Sequence, residues 1–169
     1  MTSFAPLAAA TARVLVVGSM PGAASLRAGQ YYAHPQNAFW PVMAELCGVD
    51  PARPYAERVA CLLAAGLAVW DVLQHCERAG SLDAAIARDS MVANDFAAFL
   101  RAHPGIRAVF CNGSTAFACW RRYVAPQLDE GQRAIPVAVL PSTSPAHASL
   151  RPHAKVAQWR AAVSPFLGS

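Results

Sequence analysis

Lysine is almost absent from this sequence: among its 14 lysine and arginine residues, only Lys155 is a lysine. An enzyme that forms a Schiff base needs a lysine or an N-terminal amine, so such chemistry would have to use Lys155 or the N-terminus. Acidic residues are also scarce, with 10 in the chain, and the formal charge at pH 7 is +4. This mildly basic balance is compatible with a polyanionic partner but does not identify one.

Cysteine pairs that could bind a metal ion are missing as well. The five cysteines contain no C-x-x-C pair, and none lies at zinc-finger spacing from a histidine. Most of them fall within apolar runs, where a free cysteine behaves as a small hydrophobic residue. We therefore expect a reduced intracellular protein without a metal ion. The cysteines are Cys47, Cys61, Cys76, Cys111 and Cys119.

The sequence also lacks long hydrophobic runs and a recognisable targeting signal. No apolar run reaches the roughly 20 residues that a membrane helix needs, and the first residues lack the basic start of a signal peptide. Hydrophobic residues still make up 55% of the 169 residues, which favours a folded chain with a buried core. We expect a single domain over residues 1–169. We also expect a cytoplasmic monomer that does not contact a membrane.

Four short apolar runs predict buried strands, at residues 13–17, 67–72, 106–111 and 135–140. Between them, periodicity and end signals predict one helix that starts near residues 37–41 and others at 54–65, 94–100, 113–123 and 153–166. Residues 19–36 are expected to form a loop, and residues 74–92 a loop with a short helix from Leu82. Strands that alternate with helices predict an α/β fold, with three α/β/α layers around a central four-stranded, mainly parallel sheet.

Polar, glycine and proline residues gather where the predicted strands end, at residues 18–22, 71–75, 112–115 and 142–147. Ligands of parallel sheets bind beyond the carboxyl ends of the strands. The sequence therefore predicts that these four segments share one cleft.

Aromatic rings surround one histidine and one asparagine in residues 31–40. Rings offer flat faces for stacking, and an amide both donates and accepts hydrogen bonds. The segment therefore suits a flat polar molecule such as a nucleobase. Plainer interpretations are open for each residue: Asn37 could be a helix N-cap, His34 a structural histidine, and Trp40 part of the core.

The turn at residues 18–22 matches no common phosphate-binding or nucleophile motif. It lacks the G-K-[ST] of a Walker loop and the spacing of G-x-G-x-x-G. Ser19 does not lie in the G-x-S-x-G of a nucleophile elbow. A serine hydrolase that pairs Ser19 or Ser144 with His34 or His147 is therefore disfavoured, while a plain tight turn is an equal alternative to a binding loop.

The order of these segments resembles the uracil-DNA glycosylase superfamily, and in particular its hypoxanthine-DNA glycosylase branch, often called family six. The resemblance spans residues 14 to about 159. It is carried by Gly-Ser-Met-Pro-Gly at 18–22, Tyr-Ala-His-Pro-Gln-Asn-Ala-Phe-Trp at 32–40, Asn112, and Leu-Pro-Ser-Thr-Ser-Pro-Ala at 140–146.

Three positions depart from other branches of the superfamily. Ser19 stands where the mismatch-specific enzymes carry a catalytic asparagine. Ser142 stands where the uracil-specific enzymes carry a histidine, and Ala146 where they carry an apolar wedge. The cysteines do not match the pattern of the iron–sulfur branches, so the resemblance implies no cluster and no other cofactor.

The resemblance implies a monofunctional DNA glycosylase of base excision repair. It would hydrolyse the N-glycosidic bond of deoxyinosine in double- or single-stranded DNA, release hypoxanthine and leave an abasic site. Asn37 would be the catalytic residue that orients the attacking water. No strand-nicking lyase step is expected, because Lys155 lies far along the chain from the motifs.

The other predicted site residues follow from the same resemblance. Phe39 is expected to stack on the flipped base, and Asn112 to hydrogen-bond its Watson–Crick edge. The predicted base-binding residues are Gly18, Ser19, Met20, Pro21, Tyr32, His34, Phe39 and Asn112. The predicted DNA-binding residues are Ser142, Thr143, Ser144, Pro145, Ala146 and His147.

The sequence leaves two alternative functions open. The same fold could act on uracil, on mismatches or on ethenoadenine, because the amide of Asn112 can rotate to suit either base edge. A non-catalytic base-binding module is the second alternative, since the usual catalytic side chains of both motifs are absent.

Overall fold

The computed structural model describes residues 2–78, 86–145 and 151–167. Its six strands are β1 (Val14–Gly18), β2 (Leu67–Asp71), β3 (Leu73–Arg78), β4 (Ile86–Ala93), β5 (Ala108–Asn112) and β6 (Val137–Leu140). Its helices are α1 (Ala23–Ala28), α2 (Phe39–Cys47), α3 (Tyr55–Ala64), α4 (Phe96–Ala102), α5 (Ser114–Cys119), α6 (Glu130–Arg133) and α7 (Pro152–Leu167). A π-helical turn (Trp120–Val124) and a 3-10 turn (Ala125–Gln127) follow α5.

The central sheet has four strands in the order β2-β1-β5-β6, and every neighbouring pair is parallel. All five residues of β1 are buried, as expected for a strand with neighbours on both sides and helices on both faces. These strands coincide with the four predicted from the sequence. The predicted fold class, a three-layer α/β fold around a four-stranded parallel sheet, is confirmed.

Two hydrophobic clusters lie on opposite faces of the sheet. Val14 and Val16 pack with residues of α2, α3 and α7, whereas Leu15 and Val17 pack with residues of α4 and α5. Successive side chains of a strand point to opposite faces, so one apolar strand supplies both clusters. This alternation also decides which strand-end residues point toward α2.

The connection after β1 differs from its predicted loop. It contains the short helix α1, which ends at Gly29 in a left-handed conformation with φ of 66°. The six-residue helix has no side-chain cap, so the sequence carries little signal for it.

Residues 73–93 also differ from the prediction. The described part of this segment is an antiparallel pair of strands, β3 and β4, with register shifts between them. The irregular register breaks the alternation that would have indicated strands. The helix predicted from Leu82 begins at a residue that lies outside the described part of the chain.

Helix α4 begins at Phe96, two residues after the predicted start at residue 94. Asp95, not Asn94, caps the helix, because its Oδ1 accepts a hydrogen bond of 3.0 Å from the Ala98 N–H. The Asn94 side chain instead donates to the carbonyl of Asp71 at 2.7 Å. Among the helices of the described residues, none is long and apolar enough to cross a membrane.

Candidate functional site

A cavity of about 360 Å³ opens at the carboxyl ends of the parallel strands. Its size falls within the roughly 300–1,000 Å³ of small-molecule sites. Residues from all four strand-end segments line it together with the aromatic segment. The lining residues are Gly18, Ser19, Met20, Pro21, Gly22, Ala23, Ala24, Ser25, Tyr31, Tyr32, His34, Asn37, Asp71, Asn112, Ser142, Thr143, Ser144 and Pro145.

Gly18 lies at the floor of the cavity, at a point where a larger residue would not fit. A Cβ atom at this position would overlap Asp71 Oδ1 and lie 3.0 Å from Tyr32 Oη. Two backbone hydrogen bonds hold the turn after Gly18 in place. The Val72 N–H donates to the Gly18 carbonyl at 2.8 Å, and the Leu73 N–H donates to the Ser19 carbonyl at 3.1 Å. Backbone and neighbouring side chains therefore meet closely at the end of β1.

Asn37 lies directly before α2 and lines the cavity. Its Oδ1 accepts a hydrogen bond of 2.9 Å from the Phe39 N–H, so it satisfies a backbone donor at the helix start as a capping residue does. An amide also carries two N–H donors, and its oxygen has a second lone pair. The structural role therefore uses only part of the hydrogen-bonding capacity of Asn37.

Asn112 and Thr143 form a reciprocal pair. Asn112 Nδ2 donates to Thr143 Oγ1 at 2.9 Å, and the Thr143 N–H donates to Asn112 Oδ1 at 2.9 Å. The backbone N–H can bond only the oxygen, so the orientation of the amide is fixed. One N–H and one lone pair of Asn112 remain for a ligand.

Thr143 also connects this pair to α2. Its carbonyl accepts a hydrogen bond of 2.9 Å from the N–H of Ala38, the residue after Asn37. Only 1% of Thr143 is exposed, so the prediction that it contacts DNA does not fit its position. Its side chain holds Asn112, and its backbone holds the start of α2.

The aromatic stack differs from the prediction in its order. The rings of Tyr32 and Phe39 are stacked, with centroids 4.0 Å apart and planes 15° apart. Phe39 is fully buried, and it is Tyr32 that lines the cavity. The prediction that a base stacks directly on Phe39 is therefore wrong for this arrangement. The positive φ of Tyr32, 55°, is rare for a bulky residue.

The remaining predicted residues lie at the mouth or beyond the described chain. His34 is exposed, and its Nδ1 accepts from the Gln36 N–H at 3.1 Å, which leaves Nε2 as the donor of a neutral ring. Ser142 Oγ accepts from the Ser144 N–H at 3.2 Å. Ala146 and His147 lie outside the described residues.

Lys155 is closer to the site than its sequence position suggested. Its Nζ lies 3.5 Å from the carbonyl oxygen of Ser144, a residue that lines the cavity. The long distance along the chain therefore does not keep Lys155 away from the motifs, contrary to the prediction. Lys155 is only 5% exposed, and burial lowers the pKa of its amine.

Asp71 belongs to a segment predicted to reach the cleft but was given no role from the sequence, although it lines the cavity and is only 3% exposed. It is the last residue of β2 and pairs in register with Gly18. Burial, and then the nearby Asp71, raise the pKa of Tyr31 above its ordinary value, and the Tyr31 hydroxyl donates to the Ala5 carbonyl at 2.7 Å. A charged residue that ends an apolar strand was the signal that could have identified Asp71.

The comparison with known families decides the class of this site. The sequence model of the uracil DNA glycosylase superfamily matches residues 5–167. The chain belongs to this superfamily. The resemblance in the motifs is thereby confirmed, and the enzyme is a DNA glycosylase with DNA as its substrate. Within the described residues, no group of three or more histidine, cysteine, aspartate or glutamate side chains could hold a metal ion.

Two curated relatives of this superfamily member come from Methanosarcina species. The hypoxanthine DNA glycosylase of Methanosarcina barkeri is 32% identical over 111 residues, which are 65% of this chain and 69% of the relative. The protein of the same name from Methanosarcina acetivorans is 31% identical over 104 residues, which are 61% of this chain and 65% of the relative.

A solved solution NMR structure shares the fold. It belongs to a Methanosarcina acetivorans protein proposed to be a uracil DNA glycosylase, and it aligns with a TM-score of 0.81. The alignment covers 99% of this chain and 98% of the other at 24% identity, a level that supports the shared fold alone.

Proposed function

We propose that this glycosylase removes hypoxanthine from DNA. It hydrolyses the N-glycosidic bond of deoxyinosine, releases the base and leaves an abasic site. The observation that carries the proposal is the convergence of Asn37 and Asn112 on one cavity that has room for a base. The names of the two curated relatives support the same base. We further propose that the enzyme acts as a single domain and a monomer.

The base reaches the cavity only after it leaves the duplex. Flipping costs a few kcal/mol and is easiest for a mispaired base, such as hypoxanthine opposite thymine. At the mouth, Ser142, Ser144 and Pro145 contact the strand. Most such contacts reach phosphates, so they position the DNA without reading its sequence.

Inside the cavity, the base stacks on the ring of Tyr32, which in turn rests on Phe39. Stacking of this kind contributes roughly 1–3 kcal/mol per base. The free N–H of Asn112 donates to O6 of hypoxanthine. Backbone N–H groups of Ser19 and Met20 donate to the leaving base and stabilise the negative charge that develops on it.

Bond cleavage then needs a positioned water molecule near Asn37. The C1′–N9 bond breaks and its electron pair stays on the base, while a lone pair of the water forms the new bond to C1′. After it has bonded, the water passes its proton to solvent water, and the released base anion takes up a proton from solvent. The Asn37 amide is too weak a base to take that proton early, so it acts by holding the water in line with C1′.

A base-release assay tests the proposal. Duplexes that carry deoxyinosine, deoxyuridine or ethenoadenine are incubated with the enzyme, and abasic sites are then cleaved with alkali. We expect strand cleavage with deoxyinosine. Asn37→Ala should abolish most of it, while the control Gln36→Ala, at the exposed neighbouring residue, should keep it.

Other outcomes of this assay would redirect the proposal. Cleavage only with deoxyuridine or ethenoadenine would assign a different base to the same site. Binding to all three duplexes without base release would indicate a binding module. Full activity in Asn37→Ala would remove Asn37 from the chemistry.

A further inference from the structure

Asp71 is a buried carboxyl side chain in the cavity to which the proposed reaction gives no role. It lies at the end of β2, directly beside Gly18 at the end of β1. The missing side chain of Gly18 leaves space, and Asp71 Oδ1 lies over that space, where a Cβ of residue 18 would stand.

Strand alternation shows which way Asp71 points. Leu67 and Val69 of β2 pack in the cluster that faces α2, as do Val14 and Val16 of β1. Residues two positions apart share a face, so Asp71 and Gly18 point toward α2 as well. The same alternation in β5, from Ala108 and Phe110, brings Asn112 to this face. Asp71 and Asn112 thus flank the glycine floor from opposite sides.

Asp71 and Asn37 differ in burial, so each would contact a different part of the substrate. Asp71 is almost fully buried at the floor, whereas Asn37 is half-buried nearer the mouth. A flipped nucleotide enters base first, and its sugar stays attached to the strand outside. The difference in burial therefore matches Asp71 to the base edge and Asn37 to the sugar carbon C1′.

We propose that Asp71 selects the base by accepting a hydrogen bond from the ring N1–H of hypoxanthine. The assignment rests on the proposed function of the site. An ionised carboxylate only accepts hydrogen bonds. Hypoxanthine offers N1–H as a donor and O6 as an acceptor, which complements Asp71 on one side and the free N–H of Asn112 on the other.

Adenine presents the reverse pattern. Its N1 carries a lone pair, which would face the lone pairs of Asp71, and its exocyclic amine would face the N–H of Asn112. Sites built around buried polar groups reject ligands that leave those groups unpaired, in favourable cases by a factor of about 10⁴ or more. The pair therefore excludes the undamaged base from which hypoxanthine forms by deamination.

Binding measurements with non-cleavable substrates test this assignment. Two duplexes carry 2′-fluorinated inosine or 2′-fluorinated nebularine opposite thymine. Nebularine contains unsubstituted purine, with a lone pair at N1 and no O6. The ratio of the two dissociation constants is measured for the wild type, Asp71→Ala and Asp71→Asn. Comparing the ratio between proteins removes the difference in flipping cost between the two bases.

We expect Asp71→Ala to lower the preference for inosine by about tenfold or more, the usual effect of a hydrogen bond to a charged group. Asp71→Asn should retain part of the preference, because the amide oxygen can still accept. Asp95→Ala removes a helix cap far from the base and should leave the ratio unchanged. An unchanged ratio in Asp71→Ala, or a wild type without preference for inosine, would overturn the assignment.

Base release separates this inference from the proposed function. A wild type that prefers the inosine duplex through Asp71 but releases no hypoxanthine refutes the reaction and keeps the assignment. A wild type that releases hypoxanthine, with an Asp71→Ala ratio equal to its own, keeps the reaction and refutes the assignment.

Discussion

Asn37 shows how one side chain can combine a structural role with a chemical one. Its oxygen bonds the Phe39 N–H at the start of α2, while its N–H groups remain for a ligand in the cavity. The sequence presented capping and catalysis as rivals. The geometry allows both, because they use different atoms of the same amide.

Replacing Asn37 with two different residues separates these roles. Asn37→Asp keeps an oxygen that can accept from Phe39 N–H but loses the N–H donors, so the fold should stay stable while base release falls about 10²-fold or more. Asn37→Ala should lose base release and about 1 kcal/mol of stability. Urea unfolding and single-turnover release measure the two effects. Equal loss of stability in both variants would contradict the capping role.

Gly18→Ala tests the close approach at the floor of the cavity. The new Cβ would overlap Asp71 Oδ1, so we expect a loss of about 1–3 kcal/mol in stability and a strong loss of base release. Gly48→Ala is the matched control, because its Cβ meets nothing within 4 Å although its φ is 74°. Thermal unfolding of Gly18→Ala measures the effect of a steric clash, and thermal unfolding of Gly48→Ala measures the effect of backbone strain alone. A Gly18→Ala enzyme of wild-type activity would show that the floor is open.

The sequence predicted which side chains form the site better than it predicted how deeply each of them is buried. The motifs identified Asn37 and Asn112, and the structure brings both to the cavity. The order of Tyr32 and Phe39 in the stack could not be read from adjacent motif positions, because it depends on the unusual backbone of Tyr32. Asp71 was overlooked because its partners are remote in sequence.

At the scale of elements, the site depends on how α2, β5 and the loop after β6 are joined. Thr143 provides the connection, with its side chain on Asn112 and its carbonyl on Ala38 N–H. Three elements from distant parts of the chain thus share one buried residue. Each element could be predicted from the sequence. This connection could not, because it depends on the conformation of the loop after β6.

Thr143→Val tests the connection with little change in shape. The variant keeps the backbone bonds but removes the hydroxyl that accepts from Asn112 Nδ2. We expect a loss of about 1 kcal/mol in stability, because the half-buried Asn112 amide loses one hydrogen bond. Selectivity among bases should also weaken, since the amide is held by one bond instead of two. Thr143→Ser, which retains the hydroxyl, should recover the selectivity; failure to do so would assign the effect to packing.

At the scale of the whole molecule, the buried sheet makes stability sensitive to alkaline pH. Cys111 lies in β5, fully buried in the hydrophobic cluster that contains residues of α4 and α5, and burial raises the pKa of its thiol from 9.0 to about 12. Above pH 9 the unfolded chain loses this proton while the folded chain retains it. The contribution is therefore complete below about pH 9 and declines as pH rises toward 12.

Urea unfolding at pH 8 and pH 10.5 measures this decline. In the wild type, Cys111 should account for about 2 kcal/mol of lost stability between these values, from about 1.4 kcal/mol per pH unit. Cys111→Ala should show a shallower decline, although it is less stable at pH 8. Cys61→Ala, at an exposed cysteine, should stay close to the wild-type slope, because burial is a larger cause than Cys61 of the raised pKa of Cys47. Identical slopes in all three proteins would exclude the buried thiol as the cause.

The fixed orientation of the Asn112 amide has a consequence for how the enzyme searches DNA. An amide that turned to fit each arriving base would have to return before the next one. Here the Thr143 N–H holds the oxygen in one direction before any base arrives. A rejected base then leaves the amide in the same orientation, so no rotation of Asn112 is needed before the next base arrives.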